Sequence, residues 1–189
     1  MSTTQPATPP AVEPVFMHGK SMYLRPLLRS DIRPEYLAWL NNPEMTVYSS
    51  SLRTWPTTEK DLEDFFAGLR GPNHVVLAGC CQKTHVHFGN FSLSHIDWVN
   101  RRAEAALMIG LPQFRTTHYV EGIQMLARYA FQILNLNKLI GGSEIPSVPP
   151  LLERLGWKRE GLLRQHNYRA GAYVDVVQMA LLRADTEWK

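Results

Sequence analysis

The stretch covering residues 104–134, EAALMIGLPQFRTTHYVEGIQMLARYAFQIL, most constrains the fold of this chain. Residues 104–111 form a short apolar run that predicts a strand, and the residues after Arg115 predict a long amphipathic helix. A strand that leads through a tight loop into a helix is a common anion site, because the unpaired N–H groups of the helix start point at the ligand. Residues 115–120 contain no glycine, although glycine lets a phosphate approach the backbone most closely. The stretch therefore predicts a central strand–loop–helix unit and leaves its ligand open.

The predicted helix carries one apolar face that should pack on a sheet. Residues three and four positions apart lie on the same side of a helix. We expect this face to point into the core, and its members are Ile123, Leu126, Ala130 and Leu134.

Patterning elsewhere predicts further strands and helices around this unit. Pro34 suits the first turn of a helix over residues 34–41, and Thr58 with Asp61 resembles a capping box in which Asp replaces the usual Glu. Residues 94–102 are predicted to link a strand to the central strand. The order β-α-α-β-β-β-α-β-α-β-β, with mostly antiparallel strands, indicates a single α+β or mixed α/β domain. The other strands are predicted over residues 21–28, 75–81, 86–93, 138–145, 157–168 and 173–182, with a short helix over 151–155.

Length and charge limit the classes of function. A chain of 189 residues with 44% hydrophobic content suits one well-packed domain. The net charge of +3 comes without a run of five basic residues, so nucleic-acid binding is not indicated. No apolar run reaches the length of a membrane span. Residues 1–18 are rich in proline and polar residues and lack the basic and apolar regions of a signal peptide, so we expect a disordered tail before a domain covering 19–189.

Cysteine and histidine usage predicts neither a disulfide framework nor a metal site. Cys80 and Cys81 are the only cysteines, and adjacent thiols in an apolar strand favour a reducing, cytoplasmic setting. His85, His87 and His95 lie close together in sequence, but no carboxylate completes a convincing ligand set. Solvent-facing positions are therefore the favoured interpretation of these histidines.

Three segments carry a resemblance to a known family. They are HFGNFSLSHIDWVNRRAEAALMIG, ARYAFQILNLNKL and LERLGWKREGLLRQHNYRAGAYVDVVQMALL. Together they resemble the GNAT N-acetyltransferases, and most of all the ribosomal-protein (RimJ/RimL-like) branch, over about residues 22–183. The resemblance implies a mostly antiparallel sheet of about seven strands, flanked by helices and splayed between its fourth and fifth strands.

The family resemblance also implies an activity. GNAT enzymes transfer acetyl from acetyl-CoA to a primary amine, here of a protein N-terminus or a small molecule, and a homodimer is compatible with the family. His118 and Val120 stand where the family usually has small residues in its cofactor loop. Near Pro146 or Ser147 the family usually has Asn, and at Leu152 it commonly has a Tyr that protonates the leaving thiolate. The cofactor loop aligns on Arg115, Thr116, Thr117, His118, Tyr119 and Val120.

Two roles of Glu104 and three functions remain open at this stage. Beside an acetyltransferase and an inactive module, the fold could serve a different donor, such as another acyl-CoA or an acyl carrier protein. Glu104 is the candidate catalytic base by resemblance, while an ion pair with Arg101 or Arg102 is the structural alternative. The combined loss of the glycines, the Asn and the Tyr fits a catalytically inactive GNAT-fold protein that acts as a binding or scaffold module. A His118 side chain that fills the gap between the splayed strands would favour this second function.

Overall fold

The computed structural model describes residues 14–46, 55–69 and 71–187. Residues 1–13 of the predicted tail therefore lie outside the described residues. At its end, Met17–His18 form strand β1, which pairs with the next strand of the sheet.

The described residues contain the predicted elements in the predicted order, with the strand β1 and a four-residue helix over Pro43–Thr46 added. Its helices are α1 (Pro34–Asn41), α2 (Pro43–Thr46), α3 (Glu59–Gly68), α4 (Thr117–Arg128, continued by a π-helical turn at Tyr129–Ile133) and α5 (Val148–Arg154). After β1, its strands are β2 (Met22–Pro26), β3 (Val75–Cys81), β4 (His87–Asp97), β5 (Arg102–Ile109), β6 (Lys138–Ser143), β7 (Lys158–Arg169) and β8 (Ala172–Leu182).

One open sheet contains all of these strands, in the order β1-β2-β3-β4-β5-β6-β8-β7. Every neighbouring pair is antiparallel except β5 and β6, which are parallel. The predicted fold class is confirmed, with 8 strands in place of about seven. The added strand is the two-residue β1, which is too short to show an alternating pattern in sequence.

Local signals account for the helix boundaries. α1 covers the predicted residues 34–41 and begins with Pro34, whose fixed φ suits a first turn. The predicted capping box of α3 is also present, because Asp61 N–H donates to Thr58 Oγ1 at 3.2 Å and Thr58 N–H donates to Asp61 Oδ2 at 2.7 Å.

One predicted connection is wrong. β4 continues to Asp97, so the link assigned to residues 94–102 shortens to the turn after that strand. The register between β4 and β5 shifts between Ser94 and Asp97, and His95 adopts a positive φ of 49°. A bulge of this kind interrupts the side-chain alternation on which a strand prediction depends.

Helices cover both faces of the sheet. Ile123, Leu126 and Ala130 of the α4 segment are at most 4% exposed and pack with Leu93 and Leu139, so their predicted core face is confirmed. On the opposite face, α1 and α3 form a smaller cluster around Tyr36, Trp39, Leu40 and Leu62.

Candidate functional site

A wedge opens in the sheet between β5 and β6. The two strands pair only through Arg102 with Lys138, Ala103 with Leu139 and Glu104 with Ile140. Beyond this point no strand among the described residues pairs with residues 105–109 on the β6 side. The splay predicted between the fourth and fifth strands is therefore present, since β5 is the fourth strand when β1 is left out of the count.

The edge of β5 that faces the wedge can pair with a ligand. Gly110 N–H donates to Phe88 O at 2.8 Å, and Ile109 lies opposite Gly89 in the next position of the ladder. In an antiparallel ladder alternate residues direct their N–H and C=O groups to opposite sides. The backbone groups of Ala105, Leu107 and Ile109 accordingly point toward the wedge.

The wedge holds a cavity of about 680 Å³ that passes through the sheet. Tyr119 and Ile123 of α4 line it on one face, and Leu152 lies beside them. Asn90 and Ser92 of β4 line it on the opposite face. A ligand in the wedge therefore has access to both faces of the sheet.

The six predicted cofactor-loop residues divide between the wedge and its surroundings. Arg115 and Tyr119 line the cavity, and Arg115 Nη2 lies 2.6 Å from Met45 Sδ. Thr116 and Thr117 are exposed at the start of α4, where N–H groups lack helical acceptors. His118 and Val120 are half-buried and do not line the cavity.

His118 points away from the wedge. Its ring packs edge-on against Phe88 and Phe114, which stack on each other, and its centroid lies 4.8 and 4.9 Å from theirs. Neither ring nitrogen has a hydrogen-bond partner among the described residues. No residue from Arg115 to Val120 has a positive φ, so the loop conformation does not require glycine. The histidine thus leaves room for a ligand in the wedge.

A second cavity lies on the α1/α3 face and shares part of its lining with the wedge. Its volume is about 710 Å³, and its walls include Tyr36, Leu62 and Phe65. Asn90, Ser92 and Met108 line both cavities. We call this second space the acceptor-side cavity, and we call the region of the three shared residues the throat.

A buried polar chain leads to the throat. Arg25 donates from Nη1 and Nη2 to the two carboxylate oxygens of Asp31, at 2.7 Å each. His87 Nδ1 lies 3.6 Å from Asp31 Oδ1, and His87 Nε2 lies 2.9 Å from Asn90 Oδ1. Asn90 Nδ2 then donates to the Tyr36 hydroxyl at 2.7 Å.

The solvent-facing position predicted for His87 is wrong. His87 is only 3% exposed, whereas His85 and His95 lie at the surface. Its strand places it over Trp39 and Tyr36 of α1, with ring centroids 5.4 and 5.7 Å away. A sequence shows no such contact, because it depends on where α1 crosses the sheet. The one available signal is a histidine beside Phe88 and Gly89 in an otherwise buried strand.

Burial and hydrogen bonds together set the pKa values of the side chains in this buried hydrogen-bonded series. It lowers the pKa of His87, although the hydrogen bond with Asn90 and the charge of Asp31 act in the opposite direction. For Asp31, burial alone would raise the pKa, but hydrogen bonds from Arg25 and from Leu28 N–H outweigh it and hold the pKa below its usual range. Burial raises the pKa of Tyr36 to about 12, so its hydroxyl stays protonated at neutral pH.

The other candidate positions lie at or near the wedge. Glu104 is 53% exposed, and its Oε2 lies 3.0 Å from His95 Nδ1, so its observed partner is a histidine in place of Arg101 or Arg102. It does not line either cavity, but Ala106, two residues further on the same face of β5, does. Leu152 lines the wedge and has no proton to give.

Metal and membrane features do not emerge from the described residues. Within residues 14–46, 55–69 and 71–187, no three His, Cys, Asp or Glu side chains are grouped as a metal site would require. Over the same residues, none of the helices has both the length and the apolar content to cross a membrane.

Comparisons with known proteins agree on one family. The model described as an acetyltransferase (GNAT) domain matches residues 21–145. The uncharacterized N-acetyltransferase p20 of Bacillus licheniformis is 31% identical over 106 residues, which cover 55% of this chain and 60% of that protein. YdaF of Bacillus subtilis (strain 168), provisionally named a ribosomal N-acetyltransferase, is 32% identical over 104 residues, covering 52% of this chain and 55% of that protein. The chain therefore spans 60% or less of the length of these curated relatives.

A solved structure extends the similarity over most of the chain. The crystal structure of spermidine N-acetyltransferase from Vibrio cholerae in complex with CoA and spermine superposes with a TM-score of 0.77 at 25% identity. The superposition covers 87% of this chain and 97% of that protein.

Proposed function

The chain belongs to the GNAT acetyltransferase family, and its relatives fit the RimJ/RimL-like branch; on this premise we propose that it is an acyl-CoA-dependent N-acyltransferase. We propose acetyl-CoA as the donor and the primary amine of a protein N-terminus or a small molecule as the acceptor. The observation that carries this proposal is the open wedge, whose cavity shares the residues of the throat with a second cavity on the opposite face of the sheet from α4. Donor and acceptor can enter from opposite faces and meet there.

We propose that the donor lies in the wedge with its pyrophosphate at the start of α4 and its thioester toward the throat. The pyrophosphate would lie at the start of α4, where the helix dipole and unpaired N–H groups favour an anion and Arg115 adds a positive charge. The pantetheine arm carries amide groups, which suit the free backbone edge of Ala105, Leu107 and Ile109. These contacts would align the thioester with the throat.

The reaction then needs a polarised carbonyl and a proton acceptor. The amine nitrogen attacks the thioester carbonyl, the C–N bond forms, and the C–S bond breaks to release CoA thiolate. A backbone N–H of β5 stabilises the negative charge that develops on the carbonyl oxygen. We propose that Glu104 accepts the amine proton through water, because its position on β5 is two residues from the cavity wall. Since Leu152 has no proton to give, the thiolate takes its proton from solvent.

The acceptor-side cavity favours an acceptor with a single amine. Among the described residues its lining includes one carboxylate, Asp61, which already accepts hydrogen bonds from the N–H and hydroxyl groups of Thr58. A polycation such as the spermine bound by the Vibrio cholerae relative would need several free carboxylates to replace its hydration. The apolar walls around Leu62 and Phe65 instead suit an amine on a largely apolar group.

Isothermal titration calorimetry with acetyl-CoA tests the proposal. We expect a dissociation constant within the range of about 1 μM to 1 mM that substrates span, and acetyl transfer to a short peptide. Ala105→Phe should remove binding, because its ring would occupy the wedge. Ala172→Phe, an exposed position on β8, is the matched control and should bind as wild type.

The alternative function, an inactive binding or scaffold module, is separated by the same experiment. The leucine at position 152 favours this alternative, since it removes the usual acid. Absence of binding at about 1 mM acetyl-CoA by a folded wild-type protein would refute acetyl-CoA as the donor and favour the module.

A further inference from the structure

We propose that Tyr36 is a specificity-determining residue of the acceptor-side cavity, where its hydroxyl donates a hydrogen bond to a carbonyl that stands next to the acceptor amine. This inference rests on the proposed function and names the chemistry of its acceptor. An α-amino amide carries such a carbonyl, and a plain alkylamine or a polyamine does not.

The direction of the buried hydrogen-bond chain leads to this role. His87 Nε2 lies 3.1 Å from Gly89 O and 2.9 Å from Asn90 Oδ1. A backbone carbonyl can only accept, so Nε2 carries the proton and donates. Asn90 therefore turns its oxygen toward His87 and its NH₂ group toward Tyr36.

The same logic fixes the hydroxyl of Tyr36. Its oxygen accepts from Asn90 Nδ2 at 2.7 Å, which leaves the hydroxyl proton available for another acceptor. Among the described residues no further hydrogen-bond partner of this hydroxyl is present. A group in the acceptor-side cavity, which Tyr36 lines, can receive this hydrogen bond.

The position of this donor suits a carbonyl close to the reacting amine. Asn90, the direct neighbour of Tyr36, lines both cavities and so marks the throat. When the amine nitrogen of an acceptor lies at the throat, a carbonyl on the carbon that carries this amine lies only a few bond lengths from the nitrogen, on the side of Tyr36. An alkylamine offers only C–H groups there and leaves the hydroxyl without an acceptor.

His87 acts as a positioning residue in this arrangement. Its ring is held between Asp31 at 3.6 Å and Asn90, and it packs against Trp39 and Tyr36. It orients the Asn90 amide, which in turn orients the Tyr36 hydroxyl. Loss of its Nε2–H would let the amide rotate and present a different group to Tyr36.

The test compares Tyr36→Phe with wild type on two acceptors, glycinamide and ethylamine, which share a primary amine and differ in the carbonyl. We expect kcat/KM for glycinamide to fall about tenfold or more and that for ethylamine to change less than about twofold. Tyr173→Phe, an exposed tyrosine on β8, is the control and should alter neither value. An equal loss on both acceptors would overturn the inference, because the hydroxyl would then act on the thioester or only on folding.

The positioning role has its own readout. Gln at position 87 can present an N–H near the place of Nε2, whereas Leu cannot. We expect His87→Gln to retain the preference for glycinamide over ethylamine and His87→Leu to lose it, with acetyl-CoA binding unchanged in both. Retention of the preference in a folded His87→Leu protein would contradict this role.

Failure of the proposed function is distinguishable from failure of this inference. If wild type transfers acetyl to neither acceptor, calorimetric binding of the two amines still measures the discrimination. Tighter binding of glycinamide that disappears in Tyr36→Phe supports the inference without catalysis. Equal binding of the two amines to wild type refutes it.

Discussion

Replacement of Asp31 by Asn is expected to be among the most destabilising isosteric changes in this protein. Arg25 and Asp31 are each 2% exposed and form two hydrogen bonds of 2.7 Å. Asp31 also accepts from Leu28 N–H at 2.8 Å. Asn keeps the shape but removes the charge and turns an NH₂ group toward one of these donors. Breaking a buried pair from one side leaves an uncompensated charge and costs about 3–5 kcal/mol.

This cost is a large share of the total stability. A domain of this kind unfolds with a free energy of about 5–15 kcal/mol, and 1 kcal/mol corresponds to about 2–4 °C in Tm at this chain length. We expect Asp31→Asn to lower Tm by about 10 °C in differential scanning calorimetry. Asp64→Asn, which removes an exposed pairing with Lys60, is the control and should change Tm by less than about 2 °C.

The pH dependence provides a second measurement. The pKa of Asp31 is lower in the folded protein than in the unfolded chain, so the unfolded state binds the proton more readily. The stability contributed by Asp31 is therefore complete above the unfolded pKa of about 3.9 and is lost as pH falls from there through the folded pKa. The difference in the free energy of unfolding between wild type and Asp31→Asn should therefore disappear in this acidic window. A cost below about 1 kcal/mol at pH 7, or an advantage that grows on acidification, would refute the reasoning.

Three further predictions concern the helix on the sheet and the proposed active site. Gly122→Ala should destabilise by about 1–3 kcal/mol in urea unfolding, although alanine favours helices, because the added Cβ would overlap the Phe91 ring. Glu104→Gln should lower kcat about 100-fold with little change in KM for acetyl-CoA, measured by the rate of thiol release. Arg115→Ala should weaken CoA binding about tenfold in calorimetry, and the difference should shrink at high salt because the contact is electrostatic.

Matched variants separate these effects from general damage. Gly68 is the last residue of α3, and nothing lies within 4 Å of a Cβ added there. Gly68→Ala should therefore stabilise the folded protein by about 0.5–1 kcal/mol. A stabilising Gly122→Ala would contradict the close packing. Glu44, the carboxylate that lines the described part of the wedge, is the comparison for the proposed base Glu104. A larger loss of kcat in Glu44→Gln than in Glu104→Gln would assign the role of proton acceptor to Glu44. Arg29→Ala at an exposed ion pair should leave CoA binding unchanged.

Local signals in the sequence were sufficient for much of the fold. α1 and β3 occupy the predicted residues, the Thr58 capping box is present, and the apolar face that includes Ile123 packs on the sheet. Each of these features depends on residues within a few positions of one another, so a short window contains the physical cause. The family resemblance added the splayed strands, which no local pattern reveals.

The candidate site was predicted less completely, because its geometry depends on contacts between distant residues. Substitution of the usual glycine by His118 suggested that the wedge could be filled. In the fold, this side chain instead rotates toward Phe88 and Phe114 and leaves the cavity open. Which face of α4 meets the wedge is decided by how the helix docks on the sheet, which the loop sequence alone does not specify.

The sequence by itself determined most of the strands and helices, the family resemblance and the strand–loop–helix unit of residues 104–134, but not β1, α2 or the end of β4. Only the tertiary structure decided that the wedge is open, that Asn90 lines both the wedge and a second cavity, and that His87 is buried against α1. The physical reason is the range of the interactions. Periodicity and capping act along a few residues of chain, whereas a cavity and a one-way chain of hydrogen bonds from His87 to Tyr36 exist only after the sheet and α1 have packed together.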